Sequence, residues 1–269
     1  MNNLSAYGPW AVITGASSGI GRAFAEQCAS DGLNVVLAAR SSERLEDLGG
    51  TLSAAHDVAH RVVTVDLTDP GGAAGLIAAT EDLDVGLLIS NAGAARPGRF
   101  LDQDLPDLHR RLILNTTTHL ELAHEFGRRF VARGGGAMVL VSALGATHGL
   151  PNMAHDSAAK AYVLSLGEAL NHELRPAGVK VTVMMPGNVD TPVIDALGLE
   201  RGRLPLSPLP VSRAIRQTIR ALQAGRATIV PDRRLRAVAR LTPRGTSIKM
   251  NGRMLGRAAE NLAARHANT

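Results

Sequence analysis

At 269 residues the chain has the size of one large α/β domain or two small ones, and its 45% hydrophobic content is enough for a core. Its net charge of +5 is uneven: from Arg226 onward ten Arg or Lys face only Asp232 and Glu260, so the rest is slightly acidic. That tail lacks interleaved aromatics and reads as a solvated helical extension or a subunit contact rather than a grip on nucleic acid or anionic lipid. No run approaches the roughly 18 unbroken apolar residues of a transmembrane helix, and Met1-Asn2-Asn3-Leu4-Ser5 lacks the basic-then-apolar build of a signal peptide, so a cytoplasmic protein is expected.

In chain order, apolar β-type runs fall at 10–14, 34–39, 61–66, 85–90, 137–142 and 179–185, separated by helical stretches rich in Ala, Leu, Glu and Arg. Strands apolar on both faces and alternating with helices imply a parallel sheet covered on both sides. Right-handed crossovers then give a single doubly wound α/β fold. The single cysteine, Cys28, lies in an amphipathic helical stretch and is expected to be a buried thiol. Residues 190–211 stand apart: with Pro192, Pro205, Pro208 and Pro210 they read as a loop with short helical pieces, and a long loop at the carboxyl edge of such a sheet is usually functional. No composition break or repeat marks a second domain.

The first chemical motif is Thr14-Gly15-Ala16-Ser17-Ser18-Gly19-Ile20-Gly21, which follows the first strand and opens a helix. Glycine is needed there because a side chain would block the approach of a pyrophosphate to the backbone and to the helix N-terminus, whose dipole favours an anion.

This spacing resembles that of the classical short-chain dehydrogenase/reductase family, and further motifs carry the resemblance over residues 10 to 192. Asp66-Leu67 looks like the family's adenine contact, and Asn91-Ala92-Gly93 like its N-A-G motif. Asn115 falls at the active-site asparagine, Ser142 at the catalytic serine, and Pro186-Gly187-Asn188-Val189-Asp190-Thr191 resembles the segment that closes over the nicotinamide. The resemblance implies a Rossmann-type dinucleotide-binding and catalytic domain over residues 1–225, with the last strand and a basic helical C-terminal extension in 226–269. It also implies a homo-oligomer, dimer or tetramer. By this likeness Gly15, Ser17, Ser18, Gly19, Ile20, Gly21, Asp66, Leu67, Asn91, Ala92, Gly93, Lys160, Pro186, Gly187, Val189 and Thr191 are the expected cofactor contacts. The second strand ends in Ala39-Arg40-Ser41. An enzyme that prefers NAD would place there an acid for the ribose 2′-hydroxyl, so Arg40 and Ser41 point to NADP(H).

One departure matters. Four residues before Lys160, where the family carries its catalytic tyrosine, stands Asp156. Positions i and i+4 share a helix face, so Lys160 still reaches a ribose, but an aspartate's ordinary pKa lies about six units below a tyrosine's. Beside Lys160 it is expected to be a carboxylate, a base and acceptor rather than an acid, and it is too short to reach a normally seated carbonyl. Tyr162 faces elsewhere. His148 and His155 lie near enough in sequence to line the site, whereas His119 and His124, five apart, miss the spacing of a helical metal pair, and no metal is expected.

With Asn115, Ser142, Asp156 and Lys160 as candidate catalytic residues, the leading expectation is an NADP(H)-dependent reductase of a small carbonyl, imine or activated alkene. An imine suits Asp156 because a carboxylate stabilises an iminium. The alternatives are a non-redox isomerase, dehydratase or cyclase with Asp156 as general base, or a nucleotide-binding protein without turnover.

Overall fold

Each apolar run alternates its side chains between two hydrophobic layers, which is why the strands can be apolar throughout and still be ordered. In the computed structural model, which describes residues 3–204 and 206–267, Ala11, Ile13, Val35, Leu37, Leu87 and Ile89 pack on one face. Val12, Val36, Ala38 and Leu88 pack on the other. The strands are β1 Trp10–Thr14, β2 Asn34–Ala39, β3 His60–Thr64, β4 Val85–Ser90, β5 Gly136–Val141, β6 Val179–Met184 and a short β7 Thr228–Ile229. All pair in parallel, in the order β3-β2-β1-β4-β5-β6-β7. The doubly wound fold expected from the sequence is therefore present. Met1, Asn2 and Pro205, on which parts of the sequence reading fell, lie outside the described residues.

Three strands have boundaries one or two residues from those expected. The third run starts at His60 and stops at Thr64, where its register with Ala39 ends; Asp66 instead accepts the Thr68 N–H in a turn. The fifth begins at Gly136 and the sixth stops at Met184, and Ser142 stays tied to the sheet edge by its N–H bond to the Met184 carbonyl, 2.9 Å.

The helices are α1 Gly19–Ser30, α2 Ser42–His56, α3 Gly72–Ala78, α4 Leu105–Leu112, α5 Thr118–Arg133, α6 Ala154–Leu174, α7 Val193–Ala196, α8 Val211–Gln223, α9 Arg233–Leu241 and α10 Arg244–Ala267. Phe24 of α1 and Ile215 and Ile219 of α8 close one layer, and Phe126, Phe130 and Val163 of α5 and α6 close the other. Cys28 is fully buried on α1, and burial, reinforced by Asp31, pushes its thiol well above the usual range. Among the described residues no helix is long and apolar enough to cross a membrane. The order reverses between β1 and β4, and at that switch point the carboxyl ends of the strands leave a crevice.

Candidate active site

The turn after β1 is built so that backbone meets backbone. A Cβ on Gly21 would lie 2.2 Å from the Gly15 carbonyl oxygen and 2.6 Å from the Asn91 side-chain nitrogen. Gly15 and Gly19 adopt φ of 65° and 55°, a region that favours glycine. Ser18 caps α1 without a side-chain bond to it, so the first N–H groups of that helix face the crevice without an internal acceptor. Thr14 braces the turn: its hydroxyl accepts from the Asn91 and Ala92 N–H groups, both at 2.9 Å, and its carbonyl accepts from the Asn91 amide at 2.9 Å. Thr191 lies against Gly19, 3.5 Å from where a Cβ would stand, in the turn that also holds Ser17 and Ile20.

At the far end of β2, Arg40 is exposed and Ser41 caps α2. Burial pushes the Asp66 carboxyl up, but its bonds from Thr68, together with the charges of Arg40 and Arg110, outweigh that and hold it below the usual range. Leu67 is buried beside it, and its carbonyl accepts from the Thr118 hydroxyl at 3.0 Å.

The other wall is a π-helical turn, Ile113–Thr117, between α4 and α5. Such a bulge re-aims side chains and recurs at functional sites. It carries Asn115, fully buried, whose amide donates to the Ala94 carbonyl at 2.7 Å and accepts its N–H at 3.2 Å. A Cβ on Gly93 would lie 3.0 Å from both Asn115 Oδ1 and Lys160 Nζ, so the N-A-G turn, Asn115 and Lys160 converge. Lys160 donates to the Val141 carbonyl at 3.0 Å. Burial of its ammonium, only partly offset by Asp156, lowers its pKa to about 8. The Ser142 hydroxyl donates to the Lys160 carbonyl at 2.6 Å.

Asp156 is where the structure departs from the geometry expected. It makes no ion pair with Lys160. Its Oδ1 accepts from Arg111 Nε at 3.2 Å and its Oδ2 from the Arg96 N–H at 3.1 Å, with Asp156 only 3% and Arg111 only 5% exposed. The remaining Arg111 nitrogens bond Asp107 and Gln103, and Gln103 reaches the Gly98 carbonyl at 3.0 Å. The carboxylate is thus the anchor of a buried cage that ties the 94–104 loop to α4 and α6. Sequence reading missed Arg111, although it lies four residues before Asn115 in a helical stretch.

The remaining candidates disperse. His148 bonds Thr147 and Asn251; burial, then Arg244, lowers its pKa. His155 and Tyr162 line an outer cavity of about 380 Å³ with Leu112, Thr116 and Leu120. His119 is fully buried against the Ser90 hydroxyl at 2.7 Å, and burial, then Lys160, holds it well below the ordinary histidine range. His124 is exposed. A bridge between Val189 and Leu209 closes the base of the segment that follows β6 and carries the short helix α7.

Comparison with known proteins agrees with this arrangement. A family model described as short chain dehydrogenase matches residues 9–201. The 7beta-hydroxysteroid dehydrogenase of Collinsella aerofaciens is 36% identical over 194 residues, 71% of this chain and 73% of that protein. A short-chain dehydrogenase from Sphingobium yanoikuyae, solved in complex with NADPH, superposes with a TM-score of 0.79 at 33% identity, over 86% of this chain and 91% of its own. A solved 7beta-hydroxysteroid dehydrogenase gives 0.84 at 28% identity, over 94% and 99%. The chain belongs to the short-chain dehydrogenase family, oxidoreductases that work with a nicotinamide cofactor.

Proposed function

We propose that the protein is an NADP(H)-dependent oxidoreductase interconverting a carbonyl compound and its alcohol, with Asp156 standing where the family resemblance expects the proton-donating tyrosine. The observation that carries this reading is the convergence of the Gly15-Gly19-Gly21 turn, Asn91, Asn115 and a desolvated Lys160 on one crevice. Gly15, Gly19 and Gly21 and the α1 N-terminus admit the pyrophosphate, Asp66 and Leu67 flank the adenine, Arg40 and Ser41 meet the 2′-phosphate, and Lys160 holds the nicotinamide ribose. When bound, the coenzyme supplies or accepts a hydride.

The cage around Asp156 reorders the chemistry expected from sequence. With both oxygens accepting from Arg111 and the Arg96 N–H, the carboxylate is engaged as the anchor of a cage, which argues against the general-base reading and against the preference for an imine or activated alkene. A ketone needs a proton for its developing alkoxide. Lys160, with a pKa near 8, carries one at neutral pH and hands it over directly or through a water held by Asn115. The names of the hydroxysteroid relatives favour the same carbonyl and alcohol pair. Nucleotide binding without turnover is the second reading, favoured by the Ser142 hydroxyl being turned into the backbone of α6.

Titration with NADPH and NADH, followed by turnover with ketones, imines and enones, tests the proposal. NADPH is expected to bind more tightly than NADH, Arg40→Ala to erase the difference, and the nicotinamide absorbance to fall with a ketone. Tight NADPH binding with no absorbance loss on any substrate would select the silent reading. Equal affinities for the two nucleotides would remove Arg40 from cofactor choice.

A further inference from the structure

The basic C-terminal segment has a feature that charge alone does not show. Between Arg233 and Ala259 there is no Asp or Glu, and Arg233, Arg240, Arg244, Lys249 and Arg253 are all exposed. None of these five pairs with a carboxylate among the described residues. Burial, and after it the charges of Arg240, Arg226 and Arg233, lowers the pKa of Arg236.

Amid these cations α9 turns apolar groups outward. Leu235 packs inward, its Cδ1 2.6 Å from where a Cβ on Gly187 would stand, yet no residue of α9 is buried. Val238 is exposed, Leu241 is 83% exposed, and Met250 of α10 is exposed as well. At 100° per residue, Ala237, Val238 and Leu241 share the outward side with Arg234, and Arg233 and Arg240 flank it. A helix that shows water both a leucine and an arginine rim is built for a boundary between oil and anions. A polyanion such as DNA satisfies the arginines and gives Leu241 nothing. A second copy of this chain would have to bring a matching acidic and apolar patch.

We propose that α9 and the first turns of α10 dock on an anionic lipid bilayer, with Val238, Leu241 and Met250 entering the headgroup and acyl boundary and the flanking arginines meeting lipid phosphates. A second apolar tip supports this assignment. Phe100 and Leu101 on the loop after β4, and Leu105 at the start of α4, are exposed, Leu101 to 90%. That loop joins α10 through Asn152, which accepts from the Gly98 N–H at 2.8 Å and donates to the Gly252 carbonyl at 3.1 Å. Both apolar tips therefore border the catalytic end of the sheet.

Flotation of the full chain with vesicles of phosphatidylcholine alone, and of equal parts phosphatidylcholine and phosphatidylglycerol, tests the proposal. The chain should float with the anionic vesicles, bind neutral ones at least tenfold more weakly and release with rising salt. Val238→Asp with Leu241→Asp, and separately Arg233→Glu with Arg240→Glu, should each weaken flotation at least tenfold while leaving the thermal midpoint unchanged, because none of the four is buried in the body. No flotation with anionic vesicles, or equal flotation of parent and both variants, overturns the proposal. In the absence of flotation, a smaller assembly on light scattering for the Val238→Asp, Leu241→Asp variant assigns the face to a second copy. Retention of duplex DNA without flotation assigns it to nucleic acid.

Discussion

Removing the Arg111 guanidinium would leave a buried Asp156 carboxylate with only the Arg96 N–H as donor. Breaking a buried pair from one side costs about 3 to 5 kcal/mol, whereas replacing both partners by apolar groups is often close to neutral. Arg111→Leu should therefore destabilise strongly in urea unfolding, and adding Asp156→Leu should restore most of the loss. Additive costs would show that the two side chains do not act as a unit. Removing a general base or acid lowers turnover about a hundredfold to ten-thousandfold, but Asp156→Asn should keep kcat within a few fold; a larger fall with unchanged stability would return Asp156 to the chemistry. Lys160 behaves oppositely. Its pKa is about 8 in the folded chain against about 10.4 for a free lysine, so between those values the unfolded chain binds more protons and stability rises with pH. The penalty, roughly 3 kcal/mol by the same conversion, is fully present below pH 8 and gone above about pH 10.4. Lys160→Met should accordingly raise the thermal midpoint at pH 7 and lose that advantage by pH 10. In the parent, ketone reduction should fall as pH rises through 8. The i, i+4 spacing of Asp156 to Lys160 was legible in the sequence, but the partner of the carboxylate was not, because Arg111 is 45 residues away and meets it only through the packing of α4 on α6.

Helices and strands were legible where period and composition agreed. The runs at 10–14, 34–39 and 85–90 match β1, β2 and β4 because those central strands are apolar along their whole length and bounded by turn residues. The third run overshot because Val65 makes one last bond, from its N–H to the Ala39 carbonyl at 3.0 Å, after which β2 ends and Asp66 enters a turn with Thr68. The π turn at Asn115 left no trace in the sequence, since one extra residue in a helical repeat does not disturb its apolar spacing enough to be read. The outward leucine of α9 was hidden in the same way: amphipathicity shows that a helix has two sides, not which one the body covers. The Gly-rich turn is the element whose sequence logic can be tested most directly. A Cβ on Gly21 would strike the backbone of Gly15, not a side chain that can swing aside. Gly21→Ala should therefore displace α1 from β1, abolish NADPH binding in a fluorescence titration and lower stability by about 1 to 3 kcal/mol, the usual cost of overpacking. NADPH affinity equal to that of the parent would show that the turn does not hold the pyrophosphate.

For the molecule as a whole, the sheet order follows from a few rules acting on six readable runs: parallel pairing, right-handed crossover and a reversal after β3. β7 left no run of its own because two residues, Thr228–Ile229, are too short to carry a period; a last strand within 226–269 was expected from the family resemblance alone. The burial of Cys28 turns the parent chain into its own unfolding clock. The thiol is inaccessible on α1, and burial disfavours the thiolate that alkylating reagents need. With no other cysteine in the chain, each alkylation event records one opening of the layer between α1 and the sheet. Labelling by iodoacetamide, followed by mass spectrometry across a urea series, should track the circular dichroism curve. Labelling in dilute buffer well ahead of global unfolding would expose α1 as a separately opening unit, and with it the edge of the sheet that holds the nucleotide.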